Sequence, residues 1–355
     1  MFYPYEKFEQ DNFFGANKIN TDITIPDING DENTLESLVK GGKIHYNVRK
    51  EIQKILKPGL SVKKLAETIE SNTKKFTKRI GMNQGVGFPS SLSVSNCVAH
   101  YTPYSNKDII LTKNDNIKID FGVVVNGWIV DCAFSAYFDH KYDNLHKAVK
   151  EATYNGIKNA SVDVNIKDWS ESNKEVMESH EIELNGKTYT IKPIRNLGGH
   201  NIKKGKIHGG EFLPCDPRNY SSNKRFNEGV YAIETFGTYG DNIRIATENK
   251  MENSIYMWDF NNYRNLDKLT ERLNMPQKTI DFILKMKKQF KTLPFCDRFL
   301  NKIDPKFKNH MKYLKKINIV RDFPPLYCKN MSAQYEHTIV LSDNKKTIVS
   351  KYEDY

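Results

Sequence analysis

No apolar run in this chain approaches the roughly eighteen residues that a membrane-spanning helix needs, so none is expected. The opening Met1-Phe-Tyr-Pro-Tyr-Glu-Lys has no apolar stretch of the kind that forms a secretory signal, and none is expected there either. Cysteine is sparse: the five residues Cys97, Cys132, Cys215, Cys296 and Cys328 are scattered, odd in number and free of CxxC spacing. That pattern excludes a disulfide framework and a zinc ribbon, and it points to a reducing, cytoplasmic interior. Low-complexity tracts, flexible linkers and short repeats are also missing. Acidic residues are outnumbered, 43 against 54 basic ones, for a formal net charge of +11. The lysines are dispersed through helical stretches, which reads as a solvated surface with at most weak attraction to an RNA-rich partner. No aromatic-interleaved basic motif suggests RNA or DNA recognition.

What is present suits one large domain: 355 residues with 38 % hydrophobic content. Residues 1–33 lack periodicity and read as an N-terminal arm. Leu35, Leu38, Val39, Ile44, Val48, Ile52 and Leu56 follow helical spacing, weakly interrupted at Gly41-Gly42 and ended by Pro58-Gly59. Helices are also expected over 62–77, 143–160 and 166–179, with strand-like segments between 85 and 138. Asn185-Gly186 marks a hairpin. From about 262 to 316 the pattern is helical again, and strands return at 336–341 and 347–350.

The most informative stretch is Lys118-Ile-Asp-Phe-Gly-Val-Val-Val-Asn-Gly-Trp-Ile-Val-Asp-Cys. Ile119, Phe121, Val123 and Val125 alternate before Asn126-Gly127, and Trp128, Val130, Cys132 and Phe134 alternate after it. Asn-Gly favours a two-residue type I′ turn, because both central residues need positive φ. Val125 then faces Trp128, Asp120 faces Ala133, and Asp131 faces Gly122. Asp120 and Asp131 become same-face diagonal neighbours, roughly 7–8 Å apart. Two carboxylates inside an apolar hairpin repel unless cations lie between them.

Other polar residues interrupt apolar strands: His100 in Cys97-Val-Ala-His-Tyr-Thr-Pro, His200 after Gly198-Gly199, Glu234 in Tyr-Ala-Ile-Glu-Thr-Phe-Gly, and Glu336 in Gln334-Tyr-Glu-His-Thr. Oxygen-rich sets with one imidazole suit pairs of Mn, Fe, Co or Zn ions rather than a structural zinc. His45, His140, His146, His180 and His310 lie in polar surroundings and are expected at the surface. His337 is expected on the strand face opposite Glu336. Cys97 and Cys328 flank segments expected to converge, as free buried thiols rather than a pair.

These segments, with Gly87-Phe-Pro, Arg195-Asn-Leu-Gly-Gly-His, Lys206-Ile-His-Gly-Gly, Pro324-Pro-Leu and the final Glu-Asp-Tyr, run in an order that resembles the type 2 methionine aminopeptidases. Glu234 and Glu336 lie 102 positions apart, with the helical run between them, as in type 2 rather than type 1 members. The resemblance implies an α+β pita-bread fold: an antiparallel curved sheet backed by helices over residues 34–355, with a helical insertion at about 255–318. It implies removal of the initiator methionine from nascent polypeptides by a water activated at two divalent ions. Asp120, Asp131, His200, Glu234 and Glu336 would be the ligands, with Asp131 and Glu336 bridging, Asp120 on one ion, and His200 and Glu234 on the other. Glu234 would accept the water proton. His100 would stand near the scissile nitrogen and His208 near the carbonyl oxygen. Phe88, Ile207, Phe236, Phe323 and Leu326 match the wall of the methionine pocket. A monomer is implied, sensitive to fumagillin-like epoxides at His100 and without tight ribosome anchoring. Ile255, Pro294 and Gly198 depart from common family residues. An Xaa-Pro aminopeptidase of the same fold, or a non-catalytic relative that binds RNA or protein, are the alternatives. The insertion argues against the first, and the retained ligand set against the second.

Overall fold

A computed structural model describes residues 34–77, 84–104, 108–240, 246–249, 255–342 and 345–355. The expected arm, 1–33, lies outside the described residues. Helices α1 (Thr34–Gln53) and α2 (Val62–Thr77) come first, followed by β1 (Gln84–Val94), β2 (Cys97–Ala99), β3 (Asn116–Val125) and β4 (Trp128–Tyr137). The Asn126-Gly127 turn has φ of 50° and 84°, as a type I′ hairpin requires. The observed pairs are Val125 with Trp128, Gly122 with Asp131, and Asp120 with Ala133. β1 adds to β3, with register shifts between Val86 and Phe88 and again between Phe88 and Ser91.

The second half begins with α3 (Asp143–Asn159) and α4 (Ile166–Glu178), then β5 (Glu181–Leu184), β6 (Lys187–Pro193), β7 (Gly198–Ile202), β8 (Phe212–Pro214), β9 (Gly229–Tyr239) and the short β10 (Thr247–Glu248). Next come β11 (Ile255–Trp258), α5 (Phe260–Arg264), α6 (Leu266–Arg272), α7 (Gln277–Phe290), β12 (Phe295–Cys296), α8 (Asp297–Ile303), α9 (Phe307–Lys316) and β13 (Val320–Phe323). β14 (Leu326–Tyr327), β15 (Ser332–Ser342) and β16 (Lys345–Ile348) complete the described chain. β15 pairs with β9 along its length, β7 joins β9, and all these ladders are antiparallel. The helices between β11 and β13 pack around a core of their own that includes Trp258, Phe282, Phe295, Phe307 and Leu314.

α1 runs unbroken through Gly41-Gly42, where the sequence suggests an interruption. A Cβ on Gly42 would lie 1.8 Å from the Val349 carbonyl oxygen, so the pair lets the helix lie directly on the strands. His45 and His146, expected at the surface, are fully buried. His45 stacks on Phe121 at 3.8 Å between ring centroids and contacts its carbonyl oxygen through Nε2 at 2.8 Å. His146 stacks on Tyr137 at 3.9 Å. Their polar sequence neighbours belong to the outer faces of α1 and α3, and the aromatic partners sit on strands: Phe121 on β3, far along the chain from His45, and Tyr137 at the end of β4, shortly before α3. His180 pairs with Glu151 and His310 stacks on Phe282, so both are half-buried, whereas His140 is exposed.

A buried polar layer lies behind the hairpin. Arg49 donates from Nε and Nη2 to Asp354 at 2.8 and 2.9 Å. The Tyr355 hydroxyl accepts from Glu336 N at 2.9 Å and donates to the Ala133 carbonyl at 2.6 Å. The C-terminal segment thereby ties α1 to β4 and β15. All five cysteines are free and buried.

Gly42→Ala is expected to destabilise the fold by about 1–3 kcal/mol, since the backbone of Val349 cannot yield as a side chain would. The exposed neighbour Lys43→Ala should change stability little. Denaturant midpoints of the two variants check this; equal midpoints would show that α1 does not sit this close to Val349.

Candidate metal and active site

Strand register brings the predicted residues together. The hairpin carries Asp120 on β3 and Asp131 on β4. On the facing sheet Glu234 and Glu336 are directly opposite across β9 and β15, so their side chains share a face. His200 on β7 pairs with Ala232 on β9, two residues from Glu234. A Cβ on Gly199 would lie 2.2 Å from the Ala232 carbonyl oxygen, so a glycine is needed for β7 to pack here. His200 Nε2 comes within 3.5 Å of Asp131 Oδ2.

Two groupings result, each with its candidate ligand atoms within 4.8 Å of one another: Asp131, His200 and Glu336; and Asp120, Glu234 and Glu336. Glu336 is common to both. Glu234 therefore groups with Asp120 here, whereas the family resemblance assigns it to the ion held by His200.

The electrostatics of this cluster are unfavourable as they stand. Desolvation by burial, and then the neighbouring Asp131 charge, hold Asp120 well above the usual carboxylate range. Glu234 and Glu336 are raised by desolvation and then by the other carboxylates. Desolvation pushes Asp131 up to about 7. Two like charges ~4 Å apart repel by ~4 kcal/mol at an effective dielectric of ~20. Asp120 Oδ1, Asp131 Oδ1 and both Glu336 oxygens are buried without a hydrogen-bond partner among the described residues. Unpartnered, hard, converging oxygens with one imidazole fit divalent cations.

Sequence reasoning missed three supporting residues. Gln334 Nε2 donates to Glu234 Oε1 at 2.7 Å and to Asp120 Oδ2 at 3.3 Å. It stands two positions before Glu336 on the same strand face, so the period of two was a usable signal. Thr338, two positions after, accepts from Asp131 N at 2.8 Å and donates to Asp131 O at 2.6 Å, which joins the two sheets. Ser91 Oγ accepts from His100 N at 2.9 Å, a contact set by the β1 irregularity and invisible in sequence.

A cavity of about 390 Å³ opens over the cluster. Phe88, Ile207, Phe236 and Phe323 line it, as do His100, His208, Ile255 and Pro294. Leu326 does not line it; this residue packs with Val98, Ala99 and Phe236 in the adjoining core. His208 is exposed and stands edge-on to His200 at 4.5 Å. His100 meets Phe323 edge-on at 5.8 Å. Desolvation, then the nearby His208, pushes its imidazole down to about 4, so it is neutral at pH 7. His100 also adopts φ of 67°, a left-handed conformation that costs a non-glycine residue about 1–3 kcal/mol and persists only where neighbours hold it. His337 is on the opposite face, stacked on Tyr355 at 4.4 Å.

Comparison with known proteins gives the following. The model of metallopeptidase family M24 matches residues 36–257. Methionine aminopeptidase 2 of Komagataella phaffii is 42 % identical over 321 residues, covering 89 % of this chain and 69 % of its own length. Among solved structures, a thermophilic Arx1 shares 15 % identity with a TM-score of 0.72, over 90 % of this chain and 91 % of that one. Methionine aminopeptidase from Rickettsia prowazekii shares 16 % identity with a TM-score of 0.59, over 90 % and 98 %. The structural likenesses establish the pita-bread fold.

Glu336→Gln removes one of the crowded charges while keeping the shape. In chelator-treated protein at pH 8 it should raise stability by about 1–3 kcal/mol. Denaturation monitored by circular dichroism checks this, and a less stable variant would show that the carboxylates do not oppose one another.

Proposed function

The chain belongs to metallopeptidase family M24, and we propose the residue roles by which it works as a metal-dependent aminopeptidase that removes N-terminal methionine. The observation that carries the assignment is the pair of ligand groupings sharing Glu336 beneath an apolar cavity. Asp120, Asp131, His200, Glu234 and Glu336 would hold two divalent ions, Mn, Co, Fe or Zn. Glu336, common to both groupings, would serve both ions, and Asp131, whose Oδ1 has no protein partner among the described residues, would share that role. Such ions, when bound, acidify water and polarise a carbonyl.

The chain's own groups do the rest. Phe88, Ile207, Phe236 and Phe323 surround the methionine side chain, and aromatic contacts with its sulfur contribute about 0.3–1.5 kcal/mol each. Glu234, oriented by Gln334, accepts the proton of the attacking water. His100, neutral, hydrogen-bonds at the scissile nitrogen, and His208 hydrogen-bonds the carbonyl oxygen as its charge grows. Ile255, which pairs with Phe323, makes its part of the wall apolar. No described helix is long and apolar enough to cross a membrane. Five buried cysteines without a disulfide support a reducing, cytoplasmic setting, in which the chain would act as a monomer on nascent polypeptides, with transient ribosome association through the net charge of +11. Fumagillin-like epoxides would alkylate His100.

Protein reconstituted with each metal in turn should cleave Met-Ala-Ser and leave Xaa-Pro peptides intact; preferential Xaa-Pro cleavage would overturn the substrate assignment. A second test concerns His100→Ala. It should retain its metal content yet lose about 2.7–4 kcal/mol of transition-state stabilisation, roughly a hundredfold to a thousandfold in kcat. Metal analysis beside steady-state kinetics reads this, and loss of metal with the rate would place His100 among the ligands instead.

A further inference from the structure

The helical insertion reaches the catalytic loop through one buried side chain. Arg298, on α8, is 8 % exposed, and Glu70, on α2, is 6 % exposed. Arg298 Nη1 donates to Thr102 Oγ1 at 2.7 Å and to the Pro103 carbonyl at 2.6 Å. Its Nη2 donates to the Glu70 carboxylate. Thr102 is itself fully buried. One guanidinium thus joins the insertion, the N-terminal helical pair and the loop just after His100.

That loop carries the strained left-handed backbone at His100, with φ of 67°. β1 holds His100 and the residue after it: Ser91 Oγ accepts from His100 N, and Leu92 N donates to the Tyr101 carbonyl at 2.6 Å. These contacts come from β1 alone and act on residues 100 and 101. Relaxing His100 towards ordinary φ would swing residues 102 and 103, and these are the two that Arg298 holds. A planar fork with fixed donor directions suits this task better than a flexible ammonium.

We propose that Arg298 is a positioning residue for His100: its bonds to Thr102 and Pro103, braced by Glu70, keep the imidazole in its strained, substrate-facing orientation. The inference rests on the reading that His100 acts on the substrate. It gives the insertion a part in turnover besides walling the cavity. Misplacement of a reacting group by about 1 Å can lower rates a hundredfold, so a sizeable kinetic effect is expected from a residue that touches no substrate.

The test uses the metal-loaded full chain with Met-Ala-Ser. Arg298→Met alone would strand the Glu70 charge, so it is paired with Glu70→Leu; Thr102→Val is made separately. The double variant should keep wild-type metal content and nearly wild-type KM while kcat falls between about tenfold and a hundredfold. Alkylation of His100 by a fumagillin-like epoxide, followed by intact mass, should slow in parallel, and the unchanged KM separates this from a loosened cavity wall, which would weaken substrate binding as well. Thr102→Val should lower kcat by a smaller factor. Wild-type kcat and alkylation rate in the folded double variant would overturn the proposal. If that variant does not fold, unchanged kcat in Thr102→Val overturns it. His100→Ala serves as the reference: should it retain full kcat, the role of His100 itself fails, and the clamp is not the cause.

Discussion

Four carboxylates that repel one another are held on facing strands of two sheets, and most of the surrounding structure serves to keep them there. Asp120, Asp131, Glu234 and Glu336 all have their protonation favoured by burial. No local relaxation relieves this cheaply. A one-residue slip of β15 would turn Glu336 into the opposite layer and bring His337 or Tyr335 in its place. The opposite layer is already packed with Phe121, Cys132, Tyr335 and Tyr355. Register is thus fixed by the apolar side of each strand, and the charged side is carried with it.

Reinforcement comes from polar contacts where apolar packing gives no direction. Thr338 joins the two sheets at Asp131, Gln334 spans Asp120 and Glu234, and the Tyr355 hydroxyl joins β4 to β15 from behind. Arg49 and Asp354 form a buried ion pair beneath them. Removing one partner of such a pair is strongly destabilising because the other is left as an uncompensated charge. The sheets therefore provide rigid placement, whereas the insertion, with its separate core, contributes the wall at Ile255, Pro294 and Phe323.

The hairpin was the most legible part of the sequence. Asn126-Gly127 and two alternating runs determine every pair from Asp120–Ala133 to Val125–Trp128, because a two-residue turn leaves no freedom of register. Helices α2, α3 and α4 were legible from their apolar periodicity. The Gly41-Gly42 pair misled, since the need for small residues came from far along the chain: Val130 beside Gly41 and Val349 beside Gly42. His45 and His146 misled for a related reason: polar neighbours along a helix say nothing about an aromatic partner on the strand that the helix packs against. Gln334 could have been found by counting alternate positions from Glu336. The contacts of Ser91 and Arg298 could not, because they depend on a strand irregularity and on the docking of a separate helical unit. The grouping of Glu234 with Asp120 likewise follows from where the side chains converge in the folded cluster rather than from spacing.

The pairing of Glu234 with Glu336 also constrains the order of events during the birth of the molecule. Synthesis runs from the N-terminus, and α5 to α9 separate β9 from β15. While those helices emerge, Glu234 has no opposite number, Asp131 lacks Thr338, and β9 presents an open edge. An edge of that length invites pairing with other chains. The helical segment between β11 and β13, with a core of its own, would by then be able to fold. A ribosome-bound chain would thus spend the interval before residue 336 appears as an incomplete shell with its acidic residues still solvated, and the centre would close only when β15 paired with β9, β16 folding back on β15 afterwards. Vectorial synthesis therefore delays assembly of the centre until nearly the whole chain shown here has been made.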